Sequence, residues 1–138
     1  MASFRFEVVT PERIVVQQDV EYASLPGKDG QFGILANHAP IAAALDIGVV
    51  EFGPRDGERQ QLALGGGFAE MDGSTLTVMG YTAELAEEID VERAQAAKER
   101  AERRLAEKEA DIDFMRAEIA LKKALVRIRV ASNNRHSK

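Results

Sequence analysis

Apolar and polar residues change their spacing once along this chain, near residues 81–88. Before that point they alternate with a period of two. Phe4, Phe6 and Val8 share one face of a strand, a second run follows at 14–16, and a third begins near Val20. Further strands are predicted at 48–52 and 61–63 around the turn Gly53-Pro54-Arg55-Asp56-Gly57. Two more fall at 68–71 and 75–79 around Asp72-Gly73, a strong hairpin signal. Short strands at this spacing predict an antiparallel β-sandwich or flattened barrel over residues 1–85.

Beyond the boundary the period lengthens. Ala94, Ala97, Ala101 and Leu105 form one helical stripe, and Phe114, Ala117, Leu121, Ala124 and Ile128 form another. All 11 glycines and all 4 prolines lie before residue 81, so nothing interrupts helix afterwards. Asp90 suits the N-cap of the first helix and Asp111 or Asp113 that of the second. A polar stretch at 107–111 separates the stripes, so residues 86–138 read as an antiparallel two-helix hairpin and the chain as mainly β plus α. That stretch contains no helix breaker, and a continuous rod over residues 90–131 would reach about 60 Å. An alanine seam buries little area per residue, so folded hairpin and opened arm are expected to differ little in free energy.

Composition narrows the chemistry. Among 138 residues there is no cysteine and there are only two histidines, which excludes disulfides, thiolate metal sites and cysteine nucleophiles and leaves no histidine-rich metal set. No apolar run approaches the roughly 18 residues of a membrane span, and the first residues lack the basic-then-apolar layout of a signal peptide. The phosphate-loop, nucleophile-elbow, zincin and calcium-loop patterns are all missing. Gly65-Gly66-Gly67 precedes a strand and reads as a close-packed strand or bulge, and His38 reads as a structural or interface residue. No catalytic residue is expected, which argues against a small nucleotide hydrolase.

Charge is unevenly spread. The net charge is -5, yet no acid follows Glu118 while Lys122, Lys123, Arg127, Arg129, Arg135 and Lys138 do, so an anionic partner or a solvated helix face is implied at that end. If the hairpin turns near residue 109 or 110, Arg93 comes level with Arg127. Arg100 lies two turns from Arg93 on the same face, and Lys123 lies one turn from Arg127. Four such cations repel one another unless they are neutralised, either by Glu92, Glu99 and solvent or by a bound polyanion. Guanidinium groups offer paired donors suited to phosphate oxygens.

Residues 29–40 (DGQFGILANHAP), residues 65–70 (GGGFAE) and the alanine-rich charged hairpin together resemble the epsilon subunit of bacterial F-type ATP synthase, over essentially the whole chain. The resemblance implies a β-sandwich that binds the gamma subunit and the c-ring at the foot of the central stalk. It implies a mobile hairpin that inhibits ATP hydrolysis by reaching the alpha/beta head. Coupling of the rotor to proton transport would follow, at the cytoplasmic face of the bacterial membrane, without membrane insertion and without a nucleic-acid partner. Residues 89–94 (IDVERA) match the I/L-D-x-x-R-A pattern through which some members, especially from Bacillus-like organisms, bind ATP. On that resemblance the ATP-binding residues are Glu84, Ile89, Asp90, Arg93, Ala94, Arg100, Lys123 and Arg127, with ATP a regulatory ligand that is not hydrolysed and its magnesium requirement open. Tighter-binding relatives carry Arg at the place of Lys123. The six-residue pattern recurs at 112–117, read as a second helix start. Gln31 and His38 are the implied rotor contacts, though some relatives carry an acid at the place of Gln31 and many carry Pro at the place of Ala36.

Overall fold

Alternation and burial agree along the first strand, β1 (Phe4–Val9). Phe4, Phe6 and Val8 are buried and the residues between them are half-exposed. The structure, a computed structural model, describes residues 2–107 and 111–136, the side chains of 111, 112, 135 and 136 excepted. After β1 come β2 (Ile14–Val20), β3 (Tyr22–Gly27), β4 (Gly30–Leu35), β5 (Ile41–Gly53), β6 (Gln60–Met71), β7 (Thr75–Gly80) and β8 (Ala83–Leu85). A 3-10 turn (Ala86–Glu88) leads into helix α1 (Val91–Glu107), followed by α2 (Asp111–His136). The connection over 108–110, and the side chain of Asp111 as a candidate cap, lie outside the described residues.

The strands pair in the order β2-β1-β7-β6-β5-β3-β4, with β8 added against β6. Two of them serve both layers of the sandwich. The first half of β5 pairs with the second half of β6, which also carries β7, whereas the first half of β6 pairs with the second half of β5 and with β8. One pair departs from the antiparallel expectation. β1 and β7 run parallel, which is possible because most of the domain, rather than a tight turn, connects them. Between the layers lie Leu25, Ile34, Leu45, Leu62, Leu76 and Val78, all fully buried, and Phe6 and Phe52 pack with ring centroids 5.1 Å apart.

Where β6 passes between the layers, the chain uses three glycines. Gly66 and Gly67 have φ of 85° and 148°, a region that side chains with a Cβ avoid. A Cβ on Gly67 would also collide with the Met79 carbonyl oxygen, and one on Gly65 with the Thr82 hydroxyl. Gly67→Ala should therefore destabilise the sandwich by about 1–3 kcal/mol. A thermal melt followed by circular dichroism checks this, and an unchanged midpoint would contradict the corner assignment.

Candidate functional site

The helical arm rests on the sheet through α2. Val126 and Val130 from α2 pack with Val49 and Ala63 of the sheet and with Ala86 and Ile89 of the connecting segment, a second small core apart from the sandwich interior. Val130 is fully buried. Ile89 is thus an apolar anchor for the start of α1. The next residue, Asp90, caps that helix, its Oδ1 accepting from the Arg93 backbone N–H at 3.1 Å while its carbonyl accepts the first helical bond from Ala94 at 3.0 Å.

A cleft of about 180 Å³ opens beside this core, lined by Ala63, Leu64, Gly65, Thr82, Glu84, Lys123, Val126 and Arg127. Its walls come from β6, β8 and α2, so it exists only while α2 lies on the sheet. Glu84 holds Arg127 side-on, with Nε 2.8 Å from Oε1 and Nη2 donating to Oε2 at 3.2 Å. The Nε–H is buried and is not directed at a hydrogen-bond acceptor despite that short ion-pair distance. Lys123 stands on the same wall and makes no ion pair among the described residues.

The remaining cations lie elsewhere. Arg93 and Arg100 are exposed on α1, do not line the cleft, and have no side-chain partner among the described residues. The seam explains the separation. Ala94 and Ala101 on α1 and Ala117 and Ala124 on α2 are all buried. In an antiparallel hairpin about position 109, the first is level with the fourth and the second with the third. Residue 127 then lies level with Val91, and its side chain turns toward β8. In the second copy of the six-residue pattern, Asp113 and Arg116 are exposed.

Gln31 and His38 fall at opposite ends of β4. Gln31 Nε2 donates to Ser24 Oγ and to the Val49 carbonyl, each at 2.9 Å. His38 is in the turn after β4, its Nδ1 2.7 Å from the Ala39 carbonyl, beside Asn37 at φ 64°. A separate feature marks the outer sheet face. Cross-strand pairing aligns Ile14, Val9, Met79, Phe68 and Ala44 in one row over five strands, and Ile14, Met79 and Phe68 are 59%, 45% and 52% exposed. Together they form a continuous apolar row on the water-facing side of the sheet.

Three polar contacts that tie the arm and its hinge to the sandwich have no signature in sequence. Lys122 donates to Asp46 at 2.9 Å, Asn133 to Gln61 at 3.0 Å, and Arg13 to Glu88 at 2.8 Å. The Lys122 ammonium, with help from the Ile47 N–H, holds the Asp46 carboxyl below its ordinary range, and Arg13 does the same for Glu88. No group of three or more possible metal ligands occurs among the described residues, and no helix there is long and apolar enough to cross a membrane.

Residues 3–86 match the family of ATP synthase delta/epsilon chain β-sandwich domains, and residues 87–132 match the corresponding long α-helix domain. The chain is similar to the ATP synthase epsilon chain of Desulforamulus reducens, 46% identical over 92% of this chain and 96% of that one. It is 45% identical to the epsilon chain of Symbiobacterium thermophilum over 100% of this chain and 99% of the other. Among solved structures, a chain of the Euglena gracilis mitochondrial ATP synthase shares the fold with a TM-score of 0.80 at 23% identity, covering 95% of this chain and 82% of that one.

Because docking lowers the Asp46 carboxyl, its contact with Lys122 contributes to holding the arm above the ordinary aspartate range and is lost as pH falls through the lowered value. Acidification from the ordinary aspartate range downward should loosen α2. In the Asp46→Asn chain the arm should be looser at neutral pH and respond less to acid. Distances between labels at positions 74 and 132 measure both, and an unaltered acid response would exclude this carboxylate as a source.

Proposed function

The chain belongs to the ATP synthase delta/epsilon family as an epsilon chain, a non-catalytic central-stalk subunit of the F-type enzyme, and on that premise we propose that its folded arm is an ATP-responsive restraint on hydrolysis. One observation carries the reading. Glu84 from the sandwich and Lys123 and Arg127 from the arm meet in a cleft whose two sides separate when the arm opens. A ligand that bridges them favours the folded arm by linkage.

At about 180 Å³ the cleft accommodates part of a nucleotide, since whole ligands of that size occupy roughly 300 Å³ or more. Its apolar floor of Ala63, Leu64 and Val126 suits a base or ribose edge, and Lys123 and Arg127 at the rim suit phosphate oxygens. The remainder of the ligand would lie along the helices, toward the exposed Arg93 and Arg100. Glu84 both orients Arg127 and competes with a phosphate for it, which favours modest affinity. An interaction-only reading, in which the arm regulates without nucleotide, draws support from the same pairing, because Glu84 already neutralises Arg127.

In the proposed assembly the apolar row through Phe68 and Met79 docks on the gamma subunit, and Gln31 at the start of β4 and the turn at His38 face the c-ring. The opened arm, with its cationic α2, reaches the alpha/beta head. The subunit then sits peripherally at the cytoplasmic face of the bacterial membrane and couples rotor movement to proton transport.

Replacing Arg127 with Ala should weaken ATP binding about ten- to a hundredfold, the loss expected for one charge-assisted contact. Arg93→Ala should act in the same direction, Lys123→Arg should tighten binding, and Arg116→Ala should change little. Titration of the purified chain with ATP, with labels at positions 74 and 132, reads affinity and arm position together. ATP at about 100 times its dissociation constant should add roughly 2.7 kcal/mol to the folded arm. Absence of ATP binding would leave the interaction-only reading, and saturation without any change in distance would remove the sensing mechanism.

A further inference from the structure

The turn between β1 and β2 touches two places of different character. Its frame is fixed locally, because the Thr10 N–H donates to the Arg13 carbonyl at 2.9 Å and the Thr10 Oγ1 accepts from the backbone N–H groups of Glu12 and Arg13, each at 3.3 Å. On one side of this turn Ile14 opposes Val9 at a β-bulge and ends the apolar row on the outer sheet face. On the other side Arg13 reaches 75 residues along the chain to Glu88, its Nη2 2.8 Å from Oε1 and 3.5 Å from the Ala83 carbonyl. The same Glu88 oxygen accepts the Leu85 backbone N–H at 3.0 Å. One carboxylate oxygen therefore closes the 3-10 turn from which the arm departs and binds that turn to the sandwich. Residues 13 and 14 are adjacent on a short, hydrogen-bonded turn, so ordering one restricts the other.

We propose that Arg13 is a positioning residue which couples occupancy of the apolar sheet face to the arm, by clamping the Glu88 carboxylate in the hinge. The inference rests on the docking role given above to the row that ends at Ile14. The backbone of the turn is already hydrogen-bonded, so docking against Ile14 acts on the exposed Ile14 and Arg13 side chains and removes freedom that the Arg13–Glu88 contact would otherwise have to remove itself. The clamp is then strengthened and the hinge is held in the geometry of the folded arm. By reciprocity, a folded arm favours docking. Both clamp side chains are about two-fifths exposed, at 44% and 35%, so the effect is a modest bias superimposed on whatever occupies the cleft at Arg127.

The test uses the full chain, spin-labelled through cysteines introduced at Ser74 and Ser132, with the isolated gamma subunit as the docking partner. In the free chain Arg13→Ala and Glu88→Gln should each raise the extended-to-folded ratio about two- to fivefold, and the double variant should do no more than either alone. Arg13→Lys should restore most of the folded population. Addition of gamma should increase the folded fraction of the wild-type chain and leave that of Arg13→Ala unmoved, and by the same linkage Arg13→Ala should still bind gamma but up to a fewfold more weakly. An equal response to gamma in the two chains, or a free Arg13→Ala chain indistinguishable from wild type, would overturn the coupling and leave the docking face intact. Failure of the wild-type chain to bind gamma, or unimpaired binding by a Phe68→Ser, Met79→Ser chain, would instead remove the docking reading, and the coupling with it.

Discussion

One strand has to belong to two sheets, and the passage of β6 through Gly65, Gly66 and Gly67 is the constraint from which the functional geometry follows. Residues with a Cβ could not turn there, since the backbone of β7 and the hydroxyl of Thr82 occupy the space. The corner releases the first half of β6 from β7 and leaves its edge to β8. Glu84 is on β8, and Thr82 and Gly65 line the cleft directly. The corner that closes the sandwich therefore also builds the floor on which α2 rests.

The arm is held by many small terms. Its apolar anchors on the sandwich side are Val126, Val130 and Ala131 from α2 with Ile89 at the hinge, and its helix-to-helix seam is made largely of alanines, each hiding little area. The ion pairs that supplement them are partly exposed and individually weak. A structure assembled in this way can be shifted by a single ligand or by one added contact. Only the sandwich has the large interlocked side chains that resist such shifts.

Most of the fold was legible in the sequence. The change from a period of two to one of nearly four, and the confinement of glycine and proline to the first part of the chain, are both direct consequences of how strands and helices bury a face. The two-layer use of β5 and β6 and the parallel β1–β7 pair were not legible, because long-range pairing leaves no local mark. Of the candidate nucleotide residues, Glu84, Lys123 and Arg127 meet in one cleft, whereas Arg93 and Arg100 stand apart. Helical spacing fixes which residues share a face of one helix, but the rotation of that face toward the sheet or toward the neighbouring helix is decided by packing. Lys122 and Lys123 show the limit, as adjacent lysines of which one reaches Asp46 and the other lines the cleft.

Beyond Val91, α1 packs against α2 and has no extended contact with the sheet. Selection can therefore act on the two helices almost separately. Substitutions on the sheet-facing side of α2 alter how firmly the arm is parked, and each is felt at once by the sandwich. The outward residues of α1, from Glu92 through Arg104, carry no such obligation as long as the alanine seam is kept. A lineage can rewrite the charges of that helix to suit a new ligand or a different host enzyme while inheriting the parking mechanism unchanged. The first helix is the more freely evolvable half of the arm.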